Sequence, residues 1–296
     1  MLLTEIGQGL NLGTRGLSAL VKVLIALKFL EKSSDNYFYL SDLSSKYLLS
    51  SAPNTWKSML LSHEDENCTR LKECLVRDFN QKDTNDKETK SWNSGKVDFE
   101  DAKKYSASMH SHSLSAAKHF AGNFDISKEF KVSSFLDIGG GSGCFAIELA
   151  RKQPNIKCAI FELPDVDKVA SMYVQSSGSD IDVLSGNMFS MLPAGFDGMF
   201  LCNILHDWSM KKCEIICRNV YESLEKDGTI LIHEALLNEN DDGPLLTSLF
   251  SMHMFVHTEG KQFKFSELNS LLSGIGFVDV SLRPSYGMYS LIVGKK

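Results

Sequence analysis

Two rhythms of apolar positions divide the chain near residue 130. Before it the spacing is helical: Leu17, Leu20, Val21, Leu24, Leu27 and Leu30 recur every three or four residues and line one helix face. Ser33-Ser34-Asp35-Asn36 then interrupts the pattern as a turn. Tyr37-Phe38-Tyr39-Leu40 reads as a short strand, and Ser41-Asp42 as a cap before another helix holding Tyr47, Leu48 and Leu49. Helix, strand pair and helix make a winged-helix pattern. Residues 81–104 are polar and charged, with Asn93-Ser94-Gly95 as a loop signal, and predict a surface connection ahead of a helix from about Lys103 to Phe120.

From Ser133 onward short apolar runs alternate with helical stretches. The runs are Phe135-Leu136, Cys158 to Phe161, Val183-Leu184, Met199 to Cys202, Thr229 to Ile232 and Leu291 to Val293. Helical spacing falls between them, near 145–152, 166–174, 211–224 and 266–272. Strands that are apolar on both sides and separated by helices predict an α/β fold, a mostly parallel sheet covered on both faces.

Composition narrows the function classes. The chain has 296 residues and a net charge of -6, with 43% hydrophobic and 23% charged positions. That length allows one large domain or two modest ones. The mild acidity argues against nucleic acid as a partner. A winged helix invites a DNA-binding reading, but its first helix is apolar over much of its surface and poor in basic residues, which favours a dimerisation or substrate-covering module. Seven scattered cysteines, with Cys213 and Cys217 the nearest pair, predict reduced thiols rather than a disulfide framework or a metal site. Lys22 and Lys28 interrupt the most apolar early stretch, so neither a secretory signal nor a membrane span is expected and a cytoplasmic protein is.

The strongest chemical signal is Phe135-Leu136-Asp137-Ile138-Gly139-Gly140-Gly141-Ser142-Gly143, a strand running into a glycine-rich turn before a helix. Glycines at 139, 141 and 143 allow close backbone approach to a ligand, and the helix start supplies free N–H groups. Gly141-Ser142-Gly143-Cys144-Phe145-Ala146 also fits the dinucleotide fingerprint. Asp137 tips the choice: a carboxylate there repels a pyrophosphate and suits the ammonium and sulfonium region of S-adenosylmethionine. Glu162, ending the next strand, is placed to accept both ribose hydroxyls. In Ser185-Gly186-Asn187-Met188-Phe189, Asn187 is placed for the adenine edge and Met188 and Phe189 for its face; an ordinary loop over a buried phenylalanine is the alternative. Cys202 and Asn203, at the fourth strand's end, complete the expected cofactor set. His206 follows where strand gives way to helix; an imidazole there can take a proton at neutral pH, or it can be structural.

Together Asp137–Gly143, Glu162, Gly186–Phe189 and Leu205-His206-Asp207-Trp208 resemble the small-molecule O-methyltransferase family, which includes plant phenolic, bacterial polyketide and acetylserotonin O-methyltransferases. Gly243-Pro244-Leu245-Leu246, Thr258-Glu259-Gly260-Lys261 and Tyr289-Ser290-Leu291-Ile292-Val293 are similar to its later segments. The resemblance implies a Rossmann-like domain over 101–296 with a mostly parallel seven-stranded sheet. It implies a mainly helical winged-helix-like domain over 1–100, for dimerisation and for covering the substrate. It implies S-adenosylmethionine as cofactor, a small aromatic hydroxyl compound as acceptor, and His206 as general base. Glu234 matches one of two glutamates that flank this histidine, and Gln262 stands where the other would be. Asn187 stands where Asp is common. Asp207, Met109, Met252 and Phe255, with Tyr105 and His112, match regions near the acceptor; core packing is the alternative for the apolar ones. Further helices of the family, which swap between subunits, would precede the segment matched by Thr4 to Glu31. A homodimer is therefore implied, with a first domain shortened at its start. Methyl transfer to nitrogen or carbon on the same fold, or a non-catalytic cofactor-binding regulator, are the competing functions.

Overall fold

The computed structural model describes residues 1–61, 66–79 and 94–296. Most of the expected polar connection over 81–104 therefore lies outside the described residues. In chain order the elements are α1 (Leu3–Leu10), α2 (Thr14–Ala26), β1 (Leu30–Lys32), β2 (Phe38–Leu40), α3 (Asp42–Tyr47), α4 (Lys57–Leu61) and α5 (Glu66–Phe79). Then come α6 (Phe99–Asn123), α7 (Ile126–Phe130), β3 (Ser134–Ile138), α8 (Cys144–Lys152), β4 (Lys157–Glu162), α9 (Val166–Ser177), β5 (Asp182–Ser185) and β6 (Phe196–Cys202). A short 3-10 turn at Leu205–Asp207 leads to α10 (Met210–Ser223), β7 (Leu224–Ala235), α11 (Leu245–His257), α12 (Phe265–Ile275), β8 (Val278–Pro284) and β9 (Tyr289–Lys295).

Two compact units share these elements: residues 1–85 with 237–262, and residues 86–236 with 263–296. In the first unit, Leu17, Val21 and Ile25 of α2 bury a cluster with Leu3, Ile6 and the hairpin residues Leu30 and Phe38. The Ser41 side chain accepts the Ser44 N–H and caps α3. Leu27 and Leu30 leave the expected helical stripe, because α2 ends at Ala26 and Lys28 takes a left-handed backbone that turns the chain into the hairpin. Likewise α3 stops at Tyr47, short of Leu48 and Leu49.

Gly16 is needed where α2 meets α11, since a Cβ there would lie 2.7 Å from both Phe255 Cζ and Leu75 Cδ2. The residue before it, Arg15, donates to the carbonyl oxygens of Phe255 (3.2 Å), Met254 (3.3 Å), Thr258 (2.6 Å) and Gly260 (2.8 Å). A helix end exposes unpaired carbonyls and a negative dipole end, and a guanidinium answers both. Arg15→Ala is expected to lower unfolding stability by about 2–3 kcal/mol, the scale of hydrogen bonds to a charged group. Arg15→Lys should recover only part of this, because an ammonium cannot fork across these acceptors; equal denaturation midpoints for Arg15→Ala and the unaltered chain would contradict the assignment.

The second unit is a seven-stranded sheet of order β5-β4-β3-β6-β7-β9-β8. β5, β4, β3, β6 and β7 run parallel, and β9 is antiparallel to both its neighbours. Side chains alternate between two cores. Phe135, Phe200 and Leu231 pack on one face with Phe120 and Phe145, while Leu136, Met199, Leu201, Ile230 and Ile232 pack on the other with Ile216 and Leu272. Burial on both faces explains the continuous apolar runs. β8 escapes sequence reading because this edge strand is mostly exposed and carries no apolar run. α11 escapes it because Leu245-Leu246-Thr247-Ser248-Leu249-Phe250-Ser251-Met252-His253-Met254-Phe255 is apolar on nearly all sides and shows no stripe. No helix among the described residues is long and apolar enough to cross a membrane.

Candidate active site

Parallel strands carry their ends to one edge of the sheet, the edge where open α/β sheets bind ligands. Asp137 lies near the end of β3, Glu162 ends β4, Cys202 ends β6 and Glu234 lies near the end of β7. The glycine turn joins β3 to α8 with left-handed backbone at Gly141 (φ 59) and Gly143 (φ 71). At Gly143 a Cβ would lie 2.2 Å from Ile160 Cδ1, so glycine is required by packing; at Gly141 it would meet nothing within 4 Å, so that glycine's side-chain direction is open. Glu162 is 7% exposed and accepts the Gly141 N–H at 2.8 Å with Oε1 and the Leu163 N–H at 2.8 Å with Oε2. It thus braces the turn and keeps further lone pairs for a ligand.

Asp137 is 2% exposed, and its Oδ2 has no hydrogen-bond partner among the described residues. Burial pushes its carboxyl up to about 7 against the pull of the Ala146 amide, with Glu162 adding repulsion. Burial also pushes Glu162 up to about 7, opposed by the Leu163 and Gly141 amides. Two adjacent acids that ionise with difficulty are a site short of positive charge.

The second cluster sits at the end of β7. Glu234 is 1% exposed, and its Oε1 accepts N–H donors from Ile204 (3.1 Å), Leu205 (3.0 Å) and His206 (3.4 Å). Its Oε2 lies 2.6 Å from His206 Nδ1. One carboxylate therefore builds the 3-10 turn and orients the imidazole on it. His206 Nε2 is left 3.6 Å from Asp207 Oδ1. Burial pulls His206 down, but the Glu234 and Asp207 carboxylates outweigh it and hold the imidazole up at about 9. Asp207 itself is raised to about 6 by desolvation, against the attraction of His206.

Other expected residues are placed as follows. Asn187 turns its Oδ1 to the Phe189 N–H at 2.9 Å, within its own loop, and Met188 is half-buried against the core of that face. Phe189 packs edge-on against Trp208 at 4.8 Å. Asn203 has a left-handed backbone (φ 54), its Nδ2 lies 3.4 Å from the Tyr289 hydroxyl, and its Oδ1 has no partner among the described residues. Met109 is half-buried on α6. Met252, Phe255 and Gln262 belong to the first unit. There Phe255 packs in a core with Ala19 and Leu75, Met252 packs against that core, and Gln262 is fully buried with neither amide atom paired among the described residues.

Sequence reasoning missed His233, the role of Tyr289, and Ser142. His233 is fully buried and pushed down to about 3 by desolvation, with His119 adding to the effect, so it is a neutral ring; its Nε2 lies 2.9 Å from Ser285 Oγ. His110 and His112 go to different partners, Ser142 Oγ (2.9 Å) and the Tyr289 hydroxyl (2.8 Å). Their two-residue spacing on a helix signals divergence, but names neither partner.

Known proteins match this architecture. The family model for the O-methyltransferase domain covers residues 57–278. The chain is 35% identical over 176 residues to acetylserotonin O-methyltransferase of Gallus gallus, covering 58% of this chain and 51% of that one. It thus spans about half the length of the acetylserotonin O-methyltransferases it matches. It is 29% identical over 301 residues to the S-adenosyl-L-methionine-dependent methyl transferase PigF of Serratia sp., covering 97% and 84% of the two chains. The solved structure of PigF with SAH (S-adenosylhomocysteine) superposes with a TM-score of 0.65 at 26% identity, covering 100% of this chain and 90% of that chain. An O-methyltransferase family 2 protein from Planctomyces limnophilus, solved in complex with apigenin, superposes with a TM-score of 0.85 at 25% identity, covering 100% of this chain and 85% of that chain.

Proposed function

This chain belongs to the O-methyltransferase domain family, and from that premise we propose that it methylates a hydroxyl of a small aromatic molecule, with S-adenosylmethionine as cofactor and His206 as general base. The observation that carries the reading is the buried His206–Glu234 pair, 2.6 Å apart, on the same sheet edge as the Asp137 carboxyl, whose Oδ2 has no partner among the described residues.

The residues fit the cofactor. Asp137 offers a buried negative acceptor to an ammonium or sulfonium, Glu162 keeps lone pairs for ribose hydroxyls, and the open Gly141 lets a ligand lie against backbone. When bound, the cofactor supplies an electrophilic methyl group on a sulfonium. The chain's own work is positioning and proton removal. Glu234 holds Nδ1 of His206 so that Nε2 is the atom that takes the hydroxyl proton, and the carboxylate stabilises the resulting imidazolium. Asp207 lies beside Nε2 and would help orient the acceptor. Roles for Met109, Met252 and Phe255 toward the acceptor, and for Gln262 as the stand-in for the family's second glutamate, rest on the resemblance, as does a homodimer built on the first unit; a solution mass of one chain would remove the dimer. A flat phenolic acceptor is supported by the relatives' names and by the apigenin complex.

Release of S-adenosylhomocysteine in the presence of a panel of phenols tests the reaction, and no release with any hydroxyl acceptor overturns it. Gln262 favours a second reading, transfer to nitrogen or carbon: a neutral amide where the family carries a glutamate leaves the base less supported. Product analysis separates the two.

Cofactor binding should be linked to protons. Asp137 and Glu162 are held at about 7, so both carry partial protonation at neutral pH. A cationic ligand favours the ionised Asp137 and pulls its value down. Binding at about pH 6 then releases a proton, whereas at about pH 8.5 the carboxylates are already ionised and none is released. Calorimetry in buffers of different ionisation enthalpy should give different heats at the lower pH and the same heat at the higher one. Buffer-independent heats at both would contradict the assignment of Asp137.

A further inference from the structure

Tyr289, His112 and Asn203 form a line of contacts that the proton-removal scheme does not use. Tyr289 opens β9 and is 8% exposed. Its ring stacks on His233 at 4.9 Å and 18°. Its hydroxyl lies 2.8 Å from His112 Nε2 and accepts the Asn203 Nδ2 donor at 3.4 Å. With its oxygen accepting from Asn203, the hydroxyl proton goes to His112 Nε2, which makes that nitrogen the acceptor.

One end of the Asn203 amide is thereby committed. The other end, Oδ1, is buried and has no hydrogen-bond partner among the described residues. The residue cannot swing freely to relieve this, because its N–H donates to the His233 carbonyl at 3.2 Å and its backbone is left-handed. On β3, the parallel neighbour of β6, Asp137 Oδ2 is likewise buried and unpartnered. Adjacent strand ends therefore carry two acceptors without donors, one of them a carboxylate. Buried acceptors demand donors. A primary ammonium has three donors, a positive charge and no acceptor; a carboxylate or phosphate would be repelled.

We propose that Tyr289 and His112 are a positioning pair that fixes the Asn203 amide, so that its oxygen together with Asp137 receives the ammonium of the cofactor's amino-acid part. This rests on the cofactor reading given above. The pair acts through Asn203 and touches neither the reacting methyl nor the acceptor.

The test compares two ligands by calorimetry. S-adenosylhomocysteine carries the amino acid, and 5′-methylthioadenosine keeps the adenosine and thioether without it. Tyr289→Phe preserves the ring and its stack on His233 while removing the hydroxyl. It is expected to weaken S-adenosylhomocysteine about tenfold, the scale of one hydrogen bond to a charged group, and to leave methylthioadenosine within about twofold. His112 is exposed, so His112→Leu keeps the test open should Tyr289→Phe fold poorly; about a threefold loss, again confined to S-adenosylhomocysteine, is expected. Unchanged affinity for S-adenosylhomocysteine in both variants, or equal losses for both ligands, overturns the positioning pair. Failure of the unaltered chain to bind S-adenosylhomocysteine overturns the cofactor reading itself, which is a separate result.

Discussion

Replacing His206 with glutamine is expected to lower methyl transfer about 10²- to 10⁴-fold, the range contributed by a positioned general base, while affinity for S-adenosylhomocysteine stays nearly unchanged. Glutamine can still donate an amide hydrogen to Glu234 and so keep the turn at Leu205–Asp207 in place. What it lacks is a nitrogen that takes a proton. His206 is 4% exposed and its Nδ1 is already committed to Glu234 at 2.6 Å, so Nε2 is the proposed proton acceptor. The pH dependence has a defined sign. An imidazole held at about 9 is mostly protonated at neutral pH and unable to accept, so turnover should climb with pH and level off above about 9. Turnover in the variant within about tenfold of the unaltered chain would show that the proton leaves by another route.

Glu234→Leu should have the other large effect, on both stability and catalysis. Leucine removes the acceptor for the Ile204, Leu205 and His206 amides and for His206 Nδ1 at once. These donors are then stranded in a site where Glu234 itself is 1% exposed. Breaking a buried pair by deleting one partner costs about 3–5 kcal/mol, read as a lower denaturation midpoint. Glu234→Gln separates charge from shape: an amide oxygen still accepts from the turn, but only the Asp207 carboxylate then offsets the burial of His206. Its value should drop and the alkaline rise in turnover should move to lower pH, with a lower plateau because the imidazolium is no longer stabilised. The sign for stability follows from the same shift. His206 is raised in the folded chain, so the pair's stabilisation is complete below its unfolded value of about 6.5 and is lost as pH rises through about 9. Glu234→Gln should flatten the fall in stability across that window; a curve unchanged from the unaltered chain's would contradict the pairing.

Much of the second unit is legible in the sequence because its signals are local. β3, the glycine turn and α8 occupy one continuous stretch, and strands buried on both faces show as unbroken apolar runs. Glu162 and His206 are readable because each follows such a run at its end, whereas Glu234 gains its role only through the family resemblance. Other features depend on distance. His112 and Tyr289 are separated by 177 positions, and neither residue hints at the other. Residues 237–262 leave the second unit and join the first, a return path with no local mark. The helix at 245–257 hides because it carries apolar residues nearly all round, Leu246 and Leu249 on its exposed side included, and β8 hides because it is mostly exposed. At Asn187 the residue type suggests an adenine contact but does not announce that the side-chain oxygen also accepts the Phe189 N–H of its own loop.

The account rests on one imidazole taking a proton from a hydroxyl beside a cationic methyl donor, and locating a transferred label tests that most directly. The unaltered chain and His206→Gln would be incubated with methyl-labelled S-adenosylmethionine and aromatic acceptors that each carry both a hydroxyl and an amine. The account predicts label on oxygen with the unaltered chain and almost none with His206→Gln. Label on nitrogen or carbon, or equal labelling of oxygen by both proteins, would contradict it.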